Sequence, residues 1–176
     1  MLATAGNLNN HLGLPLCLLE CPDDAEWAVI EMGMSAPGEI AFLSRIADPD
    51  IALVTNVRPV HLEFFDSVDG IAAAKGELYA TLRPDATSVV NLDDELCRVQ
   101  ATRHGGPRVT FGRPPSADVA LEAVEDRFVP GASLTFRHRG RSRTRVLGIG
   151  GAHAARDALA ALAGVAAAGE ELDPAA

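Results

Sequence analysis

Ile51-Ala-Leu-Val-Thr55, then a polar loop, then the stretch from Ser67 to Leu82, then Ser88-Val-Val-Asn91 decide the fold. The two short aliphatic runs are too brief for helices and carry the β-branched residues of buried strands, whereas the span between them holds Ala, Leu, Glu and Lys at helical spacing. Ser67 stands where a helix N-cap belongs. A buried strand, a helix and a second buried strand make one crossover unit of a parallel sheet, so the chain reads as α/β, a mainly parallel sheet flanked by helices.

The same alternation extends in both directions. Trp27-Ala-Val-Ile-Glu-Met32 reads as another buried strand, and Pro37 to Ile46 as a helix with Ile40, Leu43 and Ile46 on one face, broken by Asp48-Pro49-Asp50. Glu95 to His104 reads as a further helix. From Arg108 the pattern shifts to short strands, Val109-Thr-Phe111, Val119-Ala-Leu121, Ala132 to Phe136 and Thr144 to Leu147, which points to a small antiparallel β-subregion. An alanine-rich helix from His153 to Ala168 follows, with Gly169 near its C-cap. The expected organisation is one domain, with a parallel part over 1–106, a β-subregion over 107–150 and a closing helix in 151–176.

Composition limits what such a domain does. A formal charge of −9 in 176 residues opposes general binding to nucleic acid or anionic membranes. The one basic run, Arg137 to Arg145, has arginines at alternate positions and no aromatic platform for bases, so it reads as a water-facing hairpin. Cys17, Cys21 and Cys97 have neither an even count nor zinc-site spacing, and they read as thiols of a reducing compartment. No apolar run approaches membrane-spanning length and no signal peptide opens the chain, so the expected location is the cytoplasm.

Candidate chemistry collects at strand ends, where open α/β sheets bind ligands. Glu31 interrupts an apolar run and would need a partner, which magnesium, an arginine or a helix end could supply. His61 lies in the loop after Thr55-Asn56 and could be a ligand, an acid-base group or a satisfied polar residue. Lys75 is the only lysine among fourteen arginines. It is either a plain surface charge or an amine that can be desolvated, deprotonated and made reactive, even toward carbon dioxide, as guanidinium cannot.

These residues stand in a recognisable order. Thr4-Ala-Gly-Asn-Leu-Asn-Asn-His-Leu-Gly-Leu-Pro15, Val29-Ile-Glu-Met-Gly33 with Pro37-Gly-Glu-Ile40, Thr55-Asn-Val57 with His61-Leu-Glu63, Ala74-Lys-Gly-Glu-Leu-Tyr79 and Asn91-Leu-Asp-Asp94 together resemble the central domain of a Mur ligase, over nearly the whole chain. The wording is most similar to the branch that adds D-alanyl-D-alanine to a UDP-N-acetylmuramoyl-tripeptide in peptidoglycan precursor synthesis. The resemblance implies ATP-dependent amide formation through an acyl phosphate. It implies Mg2+ at Glu31 and a second Mg2+ at His61, helped by Lys75 as a carbamate. By the same resemblance Asn7, Asn9 and Asn10 face the UDP-sugar substrate, and Asn56, Asn91, Asp94 and Asp157 lie on the nucleotide side. A turn after a strand would also select Asn91 and Asp94.

Two departures shape the expectations. The family's Gly-x-x-Gly-Lys-Thr phosphate loop does not occur in these residues, since the only lysine precedes Gly76. ATP binding by these residues alone is therefore not expected, and without the loop's strand and helix apolar surface from the Ile30 and Leu53 strands should stay partly uncovered, favouring self-association. In Gly151-Ala-His-Ala-Ala-Arg-Asp-Ala-Leu-Ala160 the two asparagines that the family links to adenine are Ala154 and Asp157. Alanine removes the amide, and an ionised aspartate accepts but does not donate. The other readings of the same residues are a non-catalytic binding module of the family, and a related tripeptide-forming or folate-polyglutamylating ligase.

Overall fold

A computed structural model describes residues 1–4, 6–59, 64–126 and 131–172. Its elements run β1 (Leu2–Ala3), α1 (Gly13–Leu19), β2 (Ala28–Val29), α2 (Glu39–Ala47), β3 (Ile51–Val54), α3 (Val68–Ala80), β4 (Thr87–Asn91), α4 (Glu95–Ala101), β5 (Arg108–Gly112), β6 (Val119–Asp126), β7 (Ala132–His138), β8 (Arg141–Leu147) and α5 (Ala152–Ala167). Strands β3 to β8 form one sheet in chain order, parallel from β3 to β6 and antiparallel from β6 to β8. The expected α/β class, with a mainly parallel sheet between helices and an antiparallel extension, is the architecture found.

Alternation along the strands sorts the core into two layers. Ala52, Val54 and Val90 point to α3 and α4 and pack with Ile71, Ala72, Tyr79, Cys97 and Ala101. Val89, Phe111, Val119, Leu134 and Phe136 point the other way, onto Ala155, Leu159, Ala160, Ala163 and Ala166 of α5. The alanines on α5 let its backbone lie close to the sheet. Tyr79 ties the first layer to the strands: its hydroxyl accepts from Val54 N at 3.2 Å and donates to the Val89 carbonyl at 2.8 Å.

Helix α2 is fastened to α3 at several points. Thr81 Oγ1 donates to Ser44 Oγ at 2.8 Å, and the Arg83 guanidinium pairs with Asp48 and Asp50 at 3.1 and 2.5 Å. Ser67 caps α3 as its sequence position indicates, accepting from Gly70 N at 3.0 Å.

Three readings need correction. The stretch Trp27 to Met32 is not a buried strand: only Ala28–Val29 pairs, in parallel with β1 as a separate two-stranded sheet, and Val29 is 59% exposed. Ile30 and Leu53 are half-buried, Leu53 packing against the α5 layer of the core. Strand β5, placed by sequence in the antiparallel subregion, pairs in parallel with β4. The arginine run is not a single water-facing row. A two-residue turn at Arg139 and Gly140, with φ of 49° and 74°, pairs odd with even positions across the hairpin. Arg137 therefore faces Glu122, whereas Arg141, Arg143 and Arg145 share the face of His138, Phe136 and Leu134. There Arg145 donates to the Leu172 carbonyl and Arg139 pairs with Glu171 at 3.3 Å, holding the segment after α5.

Strand β1 and helix α1 were not anticipated. The run Gly13 to Leu19 is apolar nearly throughout, so its period is not visible, and β1 exists only through its pairing with β2.

Candidate functional site

The carboxyl ends of β3, β4 and β5 meet above the sheet, and the segment Asn91 to Asp94 stitches them together. Asn91 Nδ2 donates to the Thr55 carbonyl at 2.8 Å, and its Oδ1 accepts from Asp93 N at 2.8 Å. Asp93 Oδ1 accepts from Arg113 N at 2.9 Å, which fixes the turn after β5. Asp94, only 7% exposed, accepts from Val57 N at 2.9 Å and from Cys97 N at 3.1 Å. It is thus the N-cap of α4 and the anchor of the loop after β3. Both of its oxygens already serve backbone donors, so its contribution to any ligand runs through the loops it holds. Gly112 completes the close approach: its φ is 142°, and a Cβ there would lie 3.1 Å from Asp93 Oδ1.

Over this stitching opens a cleft of about 390 Å³ lined by Thr55, Asn56, Arg58, Asn91, Asp93, Asp94, Arg113, His153, Arg156 and Asp157. All four sequence-selected residues of the nucleotide side, Asn56, Asn91, Asp94 and Asp157, therefore come together. Arg58, Arg113 and Arg156 join them and were not singled out by sequence. Their cationic side chains suit an anionic ligand. The signal available was positional, since each lies soon after a strand end or near the start of α5.

Lys75 reaches this region from the middle of α3. Its Nζ donates to the Asn56 carbonyl at 2.8 Å. Burial disfavours the ammonium and lowers its pKa from the usual lysine value, opposed by the nearby Cys97 and Asp94. The same burial pushes the Cys97 thiol up to about 12, with the Asp94 carboxylate adding to the rise. The two groups share a half-dry corner between α3, α4 and the loop after β3.

A second cleft, of about 600 Å³, lies between the chain before α1 and the start of α2. Asn9, Asn10 and His11 line one side, Gly33, Met34, Ser35, Pro37 and Gly38 the other. Asn9 joins the walls: its carbonyl accepts from Gly33 N at 2.7 Å, and its Nδ2 donates to Glu31 Oε1 at 2.8 Å. Asn10 Oδ1 accepts from Leu12 N and Gly13 N at 3.0 and 2.9 Å and so organises the start of α1. Asn7 is exposed outside these lining residues.

Glu31 departs from its sequence reading. It is exposed, not buried, because the strand that carries it ends at Val29, and its backbone N donates to Thr4 Oγ1 at 2.8 Å. The partner that its burial seemed to demand is the Asn9 amide. His61 lies outside the described residues. Among the described residues no group of three or more His, Cys, Asp or Glu side chains could hold a metal ion, and no helix is long and apolar enough to cross a membrane.

Comparison with known proteins identifies the family and the fold. Residues 1–165 match the family model described as the Mur ligase middle domain. The chain is 38% identical over 160 residues to the UDP-N-acetylmuramoyl-tripeptide–D-alanyl-D-alanine ligase of Bacillus subtilis, covering 91% of this chain and 34% of the relative. Among solved structures, MurF from Acinetobacter baumannii superposes with a TM-score of 0.88 at 33% identity, covering 97% of this chain and 37% of that one. MurF ligase from Thermotoga maritima in complex with ADP superposes with a TM-score of 0.86 at 30% identity, covering 97% and 40%. The chain thus spans about a third of the length of the curated relative it matches.

Proposed function

The chain belongs to the Mur ligase family, and from that premise we propose that it supplies the central-domain part of an ATP-dependent ligase joining D-alanyl-D-alanine to a UDP-N-acetylmuramoyl-tripeptide. In that reaction ATP phosphorylates the carboxylate of the tripeptide. The dipeptide amine then attacks the acyl phosphate, forming the amide and releasing phosphate. The strand-end cleft takes the nucleotide, with Asn56, Asn91 and Asp157 in its lining and Asp94 bracing it. The cleft beside Asn9 and Asn10 takes the UDP-linked peptide, with Asn7 at its approach.

The observation that carries the reading is Lys75. Lys75 is a solitary lysine, half-buried, with its Nζ fixed on the Asn56 carbonyl, and its burial lowers the pKa and so favours the neutral amine, the form that adds to carbon dioxide. The ammonium first gives up one proton; the neutral nitrogen then forms the N–C bond and sheds a second, so that two protons leave in all and a cation becomes a carbamate anion.

Magnesium fits this donor chemistry. Glu31 offers an exposed carboxylate oriented by Asn9. By the family resemblance, His61 and a carbamate on Lys75 would be the further donors to a cation here. Glu31 would hold one Mg2+, His61 and carbamylated Lys75 a second, and the cations would neutralise phosphate charge as it shifts.

The test uses the protein encoded at the chain's own locus, assayed for phosphate release that requires both the UDP-linked tripeptide and D-alanyl-D-alanine. Lys75→Arg keeps the positive charge and removes carbamate chemistry. It should cut turnover by at least about a hundredfold. A carbamate carbon resonance should appear from labelled bicarbonate in the unaltered protein and be missing in the variant. Full turnover in Lys75→Arg, or turnover indifferent to the dipeptide, refutes the reading.

A further inference from the structure

Two carboxylates complete the N-terminus of α2, and one of them comes from a different helix. Glu39 Oε2 accepts from Ser35 N and Ala36 N at 2.6 and 3.1 Å, a local arrangement within the turn. Glu77, on α3, reaches across: its Oε1 accepts from Gly38 N at 2.7 Å and its Oε2 from Ala41 N at 3.1 Å. Gly38 has φ of 90°, a left-handed turn open to glycine at no cost, and it belongs to the wall of the Asn9 and Asn10 cleft. A backbone held this way is fixed in both position and direction, because two donors four residues apart or fewer meet the two oxygens of one planar group.

Glu77 stands two residues beyond Lys75, so the two side chains leave α3 about 200° apart around the helix axis. Lys75 points to the Asn56 carbonyl at the strand-end cleft, and Glu77 points to the loop that walls the other cleft. One rigid helix therefore carries a contact to each cleft. We infer that Glu77 is a positioning residue: it sets the wall of the peptide cleft at a fixed offset from Lys75, so that a UDP-linked peptide seated beside Asn9 and Asn10 is aligned with the Lys75 region. The inference rests on the ligase reading above. Ser44 and Thr81 provide an internal control, because their 2.8 Å hydrogen bond joins the same two helices and neither residue lines either cleft.

The experiment compares the unaltered full protein with Glu77→Gln and Ser44→Ala. A glutamine has one acceptor oxygen where the carboxylate has two, so one of the two backbone donors loses its partner. Glu77→Gln should raise KM for the UDP-linked tripeptide about tenfold, the effect of one hydrogen bond to a charged acceptor, with KM for ATP unchanged and kcat within about threefold. Amide hydrogen exchange should quicken by about tenfold or more at whichever of Gly38 and Ala41 loses its acceptor in the same variant. Ser44→Ala should lower stability and leave all three kinetic constants in place. An unchanged KM in Glu77→Gln, or an equal rise in Ser44→Ala, overturns the inference while the ligase reading stands. An unaltered protein with no dipeptide-dependent turnover overturns both.

Discussion

Replacing Asp94 tests the architecture of the strand-end cleft directly. Its carboxylate caps α4 through Cys97 N and holds the loop after β3 through Val57 N, at a site only 7% exposed. Asp94→Ala removes the cap, at a cost of about 1–2 kcal/mol. It also leaves the Val57 N–H buried without its partner, at about 1–3 kcal/mol. The expected loss is the sum, about 2–5 kcal/mol, and Asp94→Asn should lose about half because its single acceptor oxygen can serve one donor. Urea unfolding of the protein carrying this chain reads the effect as a midpoint lowered by about 1–2 M with the slope unchanged. A loss under about 0.5 kcal/mol for Asp94→Ala, or an equal loss for both variants, would show that the two backbone bonds do not carry the loop.

Other consequences follow from the packing around Lys75. A Cβ at Gly76 would meet Gln100 Oε1 at 2.3 Å and Gln100 Cβ at 2.9 Å, so α3 and α4 cross there without room for a side chain. Gly76→Ala should gain about 1 kcal/mol of helix propensity and lose more to overpacking, a net destabilisation of about 1–2 kcal/mol visible in thermal unfolding; a stabilised variant would refute the close crossing. Stability should also fall at alkaline pH. The Cys97 thiol is raised from 9.0 to about 12 and Tyr79 is raised above its usual value, both by burial. Each group's stabilisation is complete below its unfolded pKa and is lost as pH rises toward the folded one, because the unfolded chain releases a proton that the folded chain keeps. The slope should reach about 1.4 kcal/mol per pH unit from Cys97 between pH 9 and 12, with Tyr79 adding to it only above pH 10, and Cys97→Ser should lessen it; an unchanged slope would place the thiol in water.

Much of the fold was legible because local pattern and tertiary environment agree. Strand β4 is buried along nearly its whole length, its central Val89 and Val90 facing helices on opposite sides, and Ser67 caps α3 by a bond within its own turn. The arginine hairpin was misread for the opposite reason. Alternation within a strand is visible in sequence, but the parity between β7 and β8 depends on the length of the turn joining them. Glu31 was misread because whether a strand is covered depends on neighbours that its own residues do not name.

The candidate site divides the same way. By itself the sequence determined which groups are available: one amine among guanidinium groups, a run of asparagines, and the acidic turn after β4, in an order specific enough to mark the family. Only the tertiary structure decided which of these are free to act. Asp94 and Asn91 are occupied with backbone groups from other strand ends, and Arg58, Arg113 and Arg156 enter the cleft from three separate segments. Glu77, an unremarked helix residue in the sequence, reaches the wall of the second cleft. Residue chemistry is local and can be read in one dimension, whereas hydrogen-bond partners far apart in the chain are set by how helices and strands pack.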